Sequence, residues 1–264
     1  MQVFADDGAC VDVRVDGSDG VAIVLIAGFP LTRDVWNSQA DALSQRHRVV
    51  RPDLLGIGES SVPDGPYLME RLASDIATVL DALGIERAAL AGHSLGGYVA
   101  LAFARMFTER LSHLALVCSR LAADSPEQAA ARRELAGRIE LAESMQPAID
   151  AYVPRLTARR TAAERPDVVT RACELAARIE PRGAAALLRG MAMRSAAGDF
   201  APDLNVPVLV VAGGGDAVIS VEEARAVAGA FPRGRLVVCE NSGHLPMLEE
   251  PGKVTGALAA LLSE

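Results

Sequence analysis

The chain has 264 residues, half of them hydrophobic, enough for one α/β domain or for a domain carrying a sizeable insertion. Its net charge of −8 argues against a nucleic-acid partner and against anionic membrane surfaces, and no apolar run approaches the length of a membrane helix. The first residues, Met1 to Asp7, lack the basic-then-apolar pattern of a secretion signal, so a cytoplasmic location is expected.

Val3 to Val15 alternates around Asp6-Asp7-Gly8, with Asp16-Gly17 behind it, which predicts a β-hairpin at a sheet edge. Val21 to Ala27 is a continuous apolar run, as expected of a strand covered on both faces, and it ends at Gly28-Phe29-Pro30. A helix with Trp36, Ala40 and Leu43 at helical spacing follows, then a strand around Val49-Val50. The glycine-punctuated loop Asp53 to Ser60 lacks the lysine of a phosphate-binding loop and the spacing of a dinucleotide fingerprint, so it is not read as a nucleotide site. Leu72, Ile76, Val79 and Leu83 share one face of a helix that Gly84 ends. The strand Ala89–Ala91 leads into Gly92-His93-Ser94-Leu95-Gly96, a helix runs on through Phe107, and Leu114 to Val117 forms the next buried strand.

The strand–helix alternation then stops. From about residue 120 to 200 only helical patterns occur: Leu135, Ile139 and Ala142 on one face, Leu175 and Ile179 on another, and Leu187, Leu188 and Met191 on a third, punctuated by prolines. Alternation resumes with Val208 to Ala212, Val221 to Phe231, Leu236 to Cys239 and Val254 to Leu262. The pattern predicts a mostly parallel sheet flanked by helices, its core formed by residues 1–119 and 201–264 and interrupted by a helical lid over 120–200. An insertion between two strands of one sheet belongs over the carboxyl edge, where α/β folds place their sites.

Gly92-His93-Ser94-Leu95-Gly96 fits G-x-S-x-G, a sharp strand-to-helix turn that holds a serine in a strained, exposed position. A serine hydroxyl is a poor nucleophile at neutral pH and needs a base within reach, itself oriented by an acid. Of four histidines, His47 and His113 sit where strands begin, and His93 neighbours the serine with its side chain directed away from it. His244 remains, just after a strand and so at the same edge as Ser94. Asp216, after Val208–Ala212 and three glycines, is the candidate acid, with Asp124 as the alternative. An oxyanion needs two donors: the Leu95 amide after the nucleophile and the Phe29 amide, since Pro30 has no N–H. Cys10, Cys118, Cys173 and Cys239 fit no metal-ligand spacing, and the chemistry requires neither a metal nor an organic cofactor.

Jointly these motifs resemble the α/β-hydrolase superfamily, in particular its compact cap-bearing esterases, lactonases and haloperoxidase-like enzymes. The chain order Ser94, Asp216, His244 is that of the superfamily, and Asp53 to Ser60 matches the D-x-x-G-x-G-x-S loop common in it. Two positions depart from the pattern: Ala27 stands where a histidine is frequent, and Ser220 where a proline is. A serine nucleophile argues against haloalkane dehalogenase and epoxide hydrolase chemistry, which use aspartate there. The resemblance implies hydrolysis of small or medium carboxylic esters through an acyl-enzyme on Ser94. The same triad also serves enol-lactone or carbon–carbon bond hydrolysis and acyl or perhydrolytic transfer, and the fold can also serve as a ligand-binding receptor. The expected partner is a small ester or lactone, with Trp36, Tyr98 and Leu245 as candidate walls of its pocket. The lid carries many arginines, among them Arg132, Arg155 and Arg194. The lid's acids nearly balance them, which favours a solvated surface over a carboxylate-binding site.

Overall fold

β1 (Gln2–Phe4) and β2 (Cys10–Asp16) form an antiparallel hairpin at one sheet edge. β3 (Ala22–Ile26) has Ile23 and Leu25 in one core cluster and Ala22, Val24 and Ile26 in the other. This two-residue alternation, with all five side chains buried, is what a continuous apolar run produces when both sheet faces are covered. A helical turn over Arg33–Trp36 leads into α1 (Asn37–Leu43), followed by β4 (Arg48–Pro52), α2 (Met69–Ala82), β5 (Ala88–His93), α3 (Leu95–Met106) and β6 (Leu111–Val117). This computed structural model describes residues 1–264.

No strand lies between Val117 and Val208. The chain there forms α4 (Pro126–Ala142), α5 (Gln146–Leu156), α6 (Arg159–Glu164), α7 (Pro166–Ala176) and α8 (Pro181–Met193). α4 starts at a capping box in which Ser125 Oγ accepts from the Gln128 amide and the Gln128 side chain accepts from the Ser125 amide. Leu135 and Ile139 bury one face of α4 in the cluster that also holds Leu187, Leu188 and Met191 of α8, whereas Ala142, at the end of α4, is exposed. The core closes with β7 (Val208–Gly213), α9 (Val221–Gly229), β8 (Gly234–Cys239), α10 (Pro246–Glu249) and α11 (Pro251–Leu261).

The sheet has eight strands in the order β1-β2-β4-β3-β5-β6-β7-β8, parallel from β4 to β8. α2, α3 and α9 cover one face, and α1 and α11 the other. From β3 the chain steps to one side to make β4, then returns across β3 to make β5 on the other side. The loops leaving the carboxyl ends of β3 and β5 therefore diverge and open a crevice, the position at which α/β sheets bind ligands. Phe29 follows β3 and Ser94 follows β5, so both stand on that crevice.

Candidate active site

Ser94 sits alone between the last residue of β5 and the first of α3, with φ 48° and ψ −110°. A non-glycine residue in this region is strained, and the surroundings hold it there. A Cβ on Gly92 would stand 2.2 Å from the Gly96 carbonyl oxygen, and one on Gly96 would stand 2.3 Å from that of Ile26. The tight turn thus requires both glycines of the pentapeptide. Leu95 is the first helical residue, so its N–H has no acceptor within the helix, and the Phe29 N–H donates to no other backbone group. Neither amide is committed to a partner in the fold.

Asp216 and His244 are joined on the loops after β7 and β8. His244 Nδ1 donates to Asp216 Oδ2 at 2.8 Å, with the two side chains 2% and 0% exposed. The second carboxylate oxygen accepts from the amides of Val218 (2.7 Å) and Ile219 (3.1 Å). Burial opposes ionisation of Asp216, but the hydrogen bond and charge of His244, with these two amides, hold its carboxyl below the ordinary range. The loops themselves interlock. The Gly214 amide donates to the Cys239 carbonyl and the Gly215 amide to that of Ser242, and a Cβ on Gly213 would lie 1.8 Å from the Gly243 carbonyl oxygen.

Two further residues fix His244. His93, fully buried, donates from Nε2 to the His244 carbonyl at 2.8 Å, and its ring centroid lies 5.0 Å from that of His244. Burial pushes His93 down to about 3, so it stays neutral. Gly28 makes room for it: a Cβ there would sit 2.4 Å from His93 Nδ1. Glu249 Oε1 accepts from the amides on either side of His244, Gly243 (2.8 Å) and Leu245 (3.3 Å). Its Oε2 accepts from the Ala158 amide at 2.9 Å, and the His244 amide donates to the Leu156 carbonyl at 2.7 Å. The histidine loop is therefore stitched to the joint between α5 and α6. His93 was legible only as a neighbour of the serine, and Glu249 not at all; the one sequence signal for Glu249 is an acid in the short segment after the histidine.

Ser94 and His244 open on one cavity of about 380 Å³, floored by Phe29 and Tyr98 and roofed by residues of α4, α5 and α8. No hydrogen bond joins Ser94 Oγ to the His244 ring. The imidazole presents Nε2 as an acceptor, since Nδ1 is committed as a donor to Asp216. The donor atoms of Cys118, Asp216 and His244 lie within 4.8 Å of one another. That set suits a metal ion poorly, because burial pushes the Cys118 thiol well above its ordinary range and Asp216 and His244 already satisfy each other.

The sequence profile of the α/β hydrolase fold matches residues 21–251. The chain belongs to the α/β-hydrolase family. Among solved structures it is similar to a thermophilic esterase from Thermogutta terrifontis, determined with malate bound, at 36% identity and a TM-score of 0.96, over 100% of this chain and 97% of that one. It is also similar to the enol-lactonase of Burkholderia xenovorans LB400, at 28% identity and a TM-score of 0.90, over 98% of both chains. A curated relative, 3-oxoadipate enol-lactonase 2 of Acinetobacter baylyi, is 25% identical over 248 residues, 93% of this chain and 90% of the relative.

Within this hydrolase fold, the structure revises three expectations. Trp36 does not line the cavity: it is fully buried on the α1–α11 side of the sheet. Leu245 is likewise fully buried in that cluster, because the backbone that presents His244 to the cavity turns the next side chain inward. Asp124, the alternative acid, is bound by Arg132 and Arg194 instead. Tyr98 does line the cavity, with the Arg194 guanidinium 3.8 Å from its ring centroid. The Asp53 loop has a local purpose: Asp53 accepts from the Arg33 amide at 2.7 Å, and Ser60 Oγ donates to the Asp53 carbonyl at 2.7 Å, which braces the chain just after Phe29.

Proposed function

We propose that this protein is a serine hydrolase of carboxylic esters that works through an acyl-enzyme on Ser94. The observation that carries this reading is Ser94, at a strained turn, sharing a cavity with a histidine whose Nδ1 is held by a buried aspartate. Ser94 Oγ attacks the ester carbonyl while His244 Nε2 takes its proton, and the carbonyl oxygen, now negative, is received by the amides of Phe29 and Leu95. His244 then gives that proton to the departing alcohol. Water, deprotonated by the same nitrogen, attacks the acyl-enzyme, and the proton returns to Ser94 Oγ as the acid leaves. Asp216 orients the imidazole and offsets the charge it carries in each half of the cycle. Residues 120–200 form the lid, and substrate enters between the lid and Ser94. The similarity to enol-lactonases supports a second reading with the same groups, in which the ester is internal and acylation opens a ring.

The test is hydrolysis of p-nitrophenyl esters of two to twelve carbons by the wild type and Ser94→Ala. Turnover that the substitution lowers by at least about 10³-fold, with the unfolding temperature preserved, is the expected result. Full activity in the variant removes Ser94 from the role.

A further inference from the structure

Most arginines of the helical roof lie on its solvated surface, Arg160, Arg171, Arg182 and Arg189 in exposed ion pairs among them, but a subset gathers at the cavity. Four of them, Arg120, Arg132, Arg138 and Arg155, line the cavity above Ser94, and Glu134 is the one acid among the lining residues. This sign is opposite to that of the chain, whose net charge is −8.

How each guanidinium is paired decides which are available. Arg120 is committed, with an ion pair to Glu223 at 2.9 Å and a hydrogen bond to the Val218 carbonyl at 2.9 Å. Arg132 and Arg194 share one carboxylate, Asp124, which is 2% exposed. Arg194, 4% exposed, is locked between Asp124, the Ala122 carbonyl and the Tyr98 ring. One carboxylate against two guanidiniums leaves a positive charge without a counter-charge in a low-dielectric setting, an arrangement that costs free energy unless an anion completes it. Of the two, Arg132 reaches the cavity, where it also donates to Tyr152 Oη at 3.1 Å. Arg138 and Arg155 are exposed at the cavity mouth, and neither makes an ion pair or a side-chain hydrogen bond. Glu134 stands four residues before Arg138 on α4 and does not pair with it, although that spacing favours pairing on a helix.

We infer that the substrate of this site is an anionic ester, with a carboxylate at the end remote from the scissile bond that docks against Arg138 and Arg155 with Arg132 behind it. The inference rests on the serine-hydrolase reading and names the substrate class of that site. The planar, two-oxygen face of a carboxylate matches the fork of a guanidinium, so two unpaired arginines at the mouth can clasp one such group by paired N–H donors. The cavity of about 380 Å³ suits a small acid of this kind better than a long acyl chain. The positive mouth on an acidic protein also draws anions toward the one place where they react.

The experiment compares two methyl esters of equal chain length, monomethyl adipate and methyl hexanoate, with p-nitrophenyl butyrate alongside. The wild type is expected to show a kcat/KM at least tenfold higher for monomethyl adipate at low ionic strength, a preference that shrinks as salt is added. In the exposed double variant Arg138→Ala/Arg155→Ala the ratio of the two kcat/KM values drops at least tenfold, through KM more than kcat. Lysine at both positions restores part of that ratio, since the charge returns without the fork. Equal rates on the two esters, a preference for methyl hexanoate, an unchanged ratio in the double variant, or no cleavage of monomethyl adipate each overturn the inference. Where p-nitrophenyl butyrate is still cleaved in a Ser94-dependent way, the hydrolase reading survives that failure; no cleavage of any of the three esters removes the hydrolase reading and the inference together.

Discussion

The floor and the roof of the cavity are held by different forces. The floor is a set of loops at the carboxyl edge of the sheet, tied by backbone amides and by glycines that admit no side chain. Gly213 packs on Gly243, the Gly215 amide donates to Ser242, and Gly96 packs on Ile26. The roof is held by side chains: Leu135 and Ile139 of α4 pack with Leu187, Leu188 and Met191 of α8, and charge lies around that apolar contact, with Asp124 gripping Arg132 and Arg194 and Arg189 of α8 paired with Glu140 of α4. A backbone-defined floor keeps its geometry when side chains elsewhere change, and a side-chain-defined roof changes its preference with single substitutions. On the proposed function, reaction type would belong to the floor and choice of substrate to the roof.

The two aspartates test this division most strongly. Asp216→Asn keeps the size of the side chain but presents an amide to His244 Nδ1, so the imidazole is held in the wrong tautomer. We expect kcat/KM to fall by about 10³ to 10⁴-fold with little change in unfolding temperature. Asp124→Asn leaves two guanidiniums without a counter-charge, one of them buried. We expect a loss of about 3 kcal/mol in stability by denaturant titration, with a far smaller effect on kcat/KM. The opposite ranking of the two variants would place the acid in the roof.

Glu249 joins the two regions, and its loss should be felt in both at a smaller size. All three hydrogen bonds of its side-chain carboxylate are accepted from backbone amides. In Glu249→Gln one oxygen becomes an NH₂ group that faces an N–H, and at least one buried amide loses its acceptor. The expected cost is about 1–3 kcal/mol of stability, together with a drop of about tenfold in kcat and little change in KM. A variant altered in stability alone would show that the clamp holds the fold without positioning His244.

What the sequence reveals follows the same division. The strands, the serine turn, Asp216 and His244 are legible because each is written in a few contiguous residues: an apolar run that stops at glycines, or a histidine just past a strand. The roof is not legible in that way. Arg138 and Arg155 lie on different helices, and only the packing of α4 against α5 and α8 brings them to one cavity, so a tally of lid acids and bases points to a solvated surface. Trp36 and Leu245 fail as pocket walls for a related reason. Proximity to a functional loop in sequence fixes where the backbone runs, but the side chain of each turns into the core beneath the sheet. Glu249 is silent because its partners are amides, which every residue carries.

The effect that vanishes at neutral pH concerns His93, a floor residue whose charge state should never change at working pH. At neutral pH its ring is uncharged in the folded chain and mostly uncharged in the unfolded one. Below the ordinary histidine value of 6.5, the unfolded chain takes up a proton that the folded chain, held at about 3 by burial, refuses. The unfolded state then binds more protons, so stability is lost as pH falls through this window, at up to roughly 1.4 kcal/mol per pH unit. His93→Gln has no such proton, and its amide can still donate to the His244 carbonyl. Its unfolding free energy should accordingly decline less steeply than that of the wild type between about pH 6 and pH 4. The difference between the two slopes isolates His93 from His113, which burial also shifts down, and from the carboxylates, because those groups are common to both proteins. Parallel slopes would mean that water or a local opening reaches the His93 ring, and that the floor is less rigid than its hydrogen bonds imply.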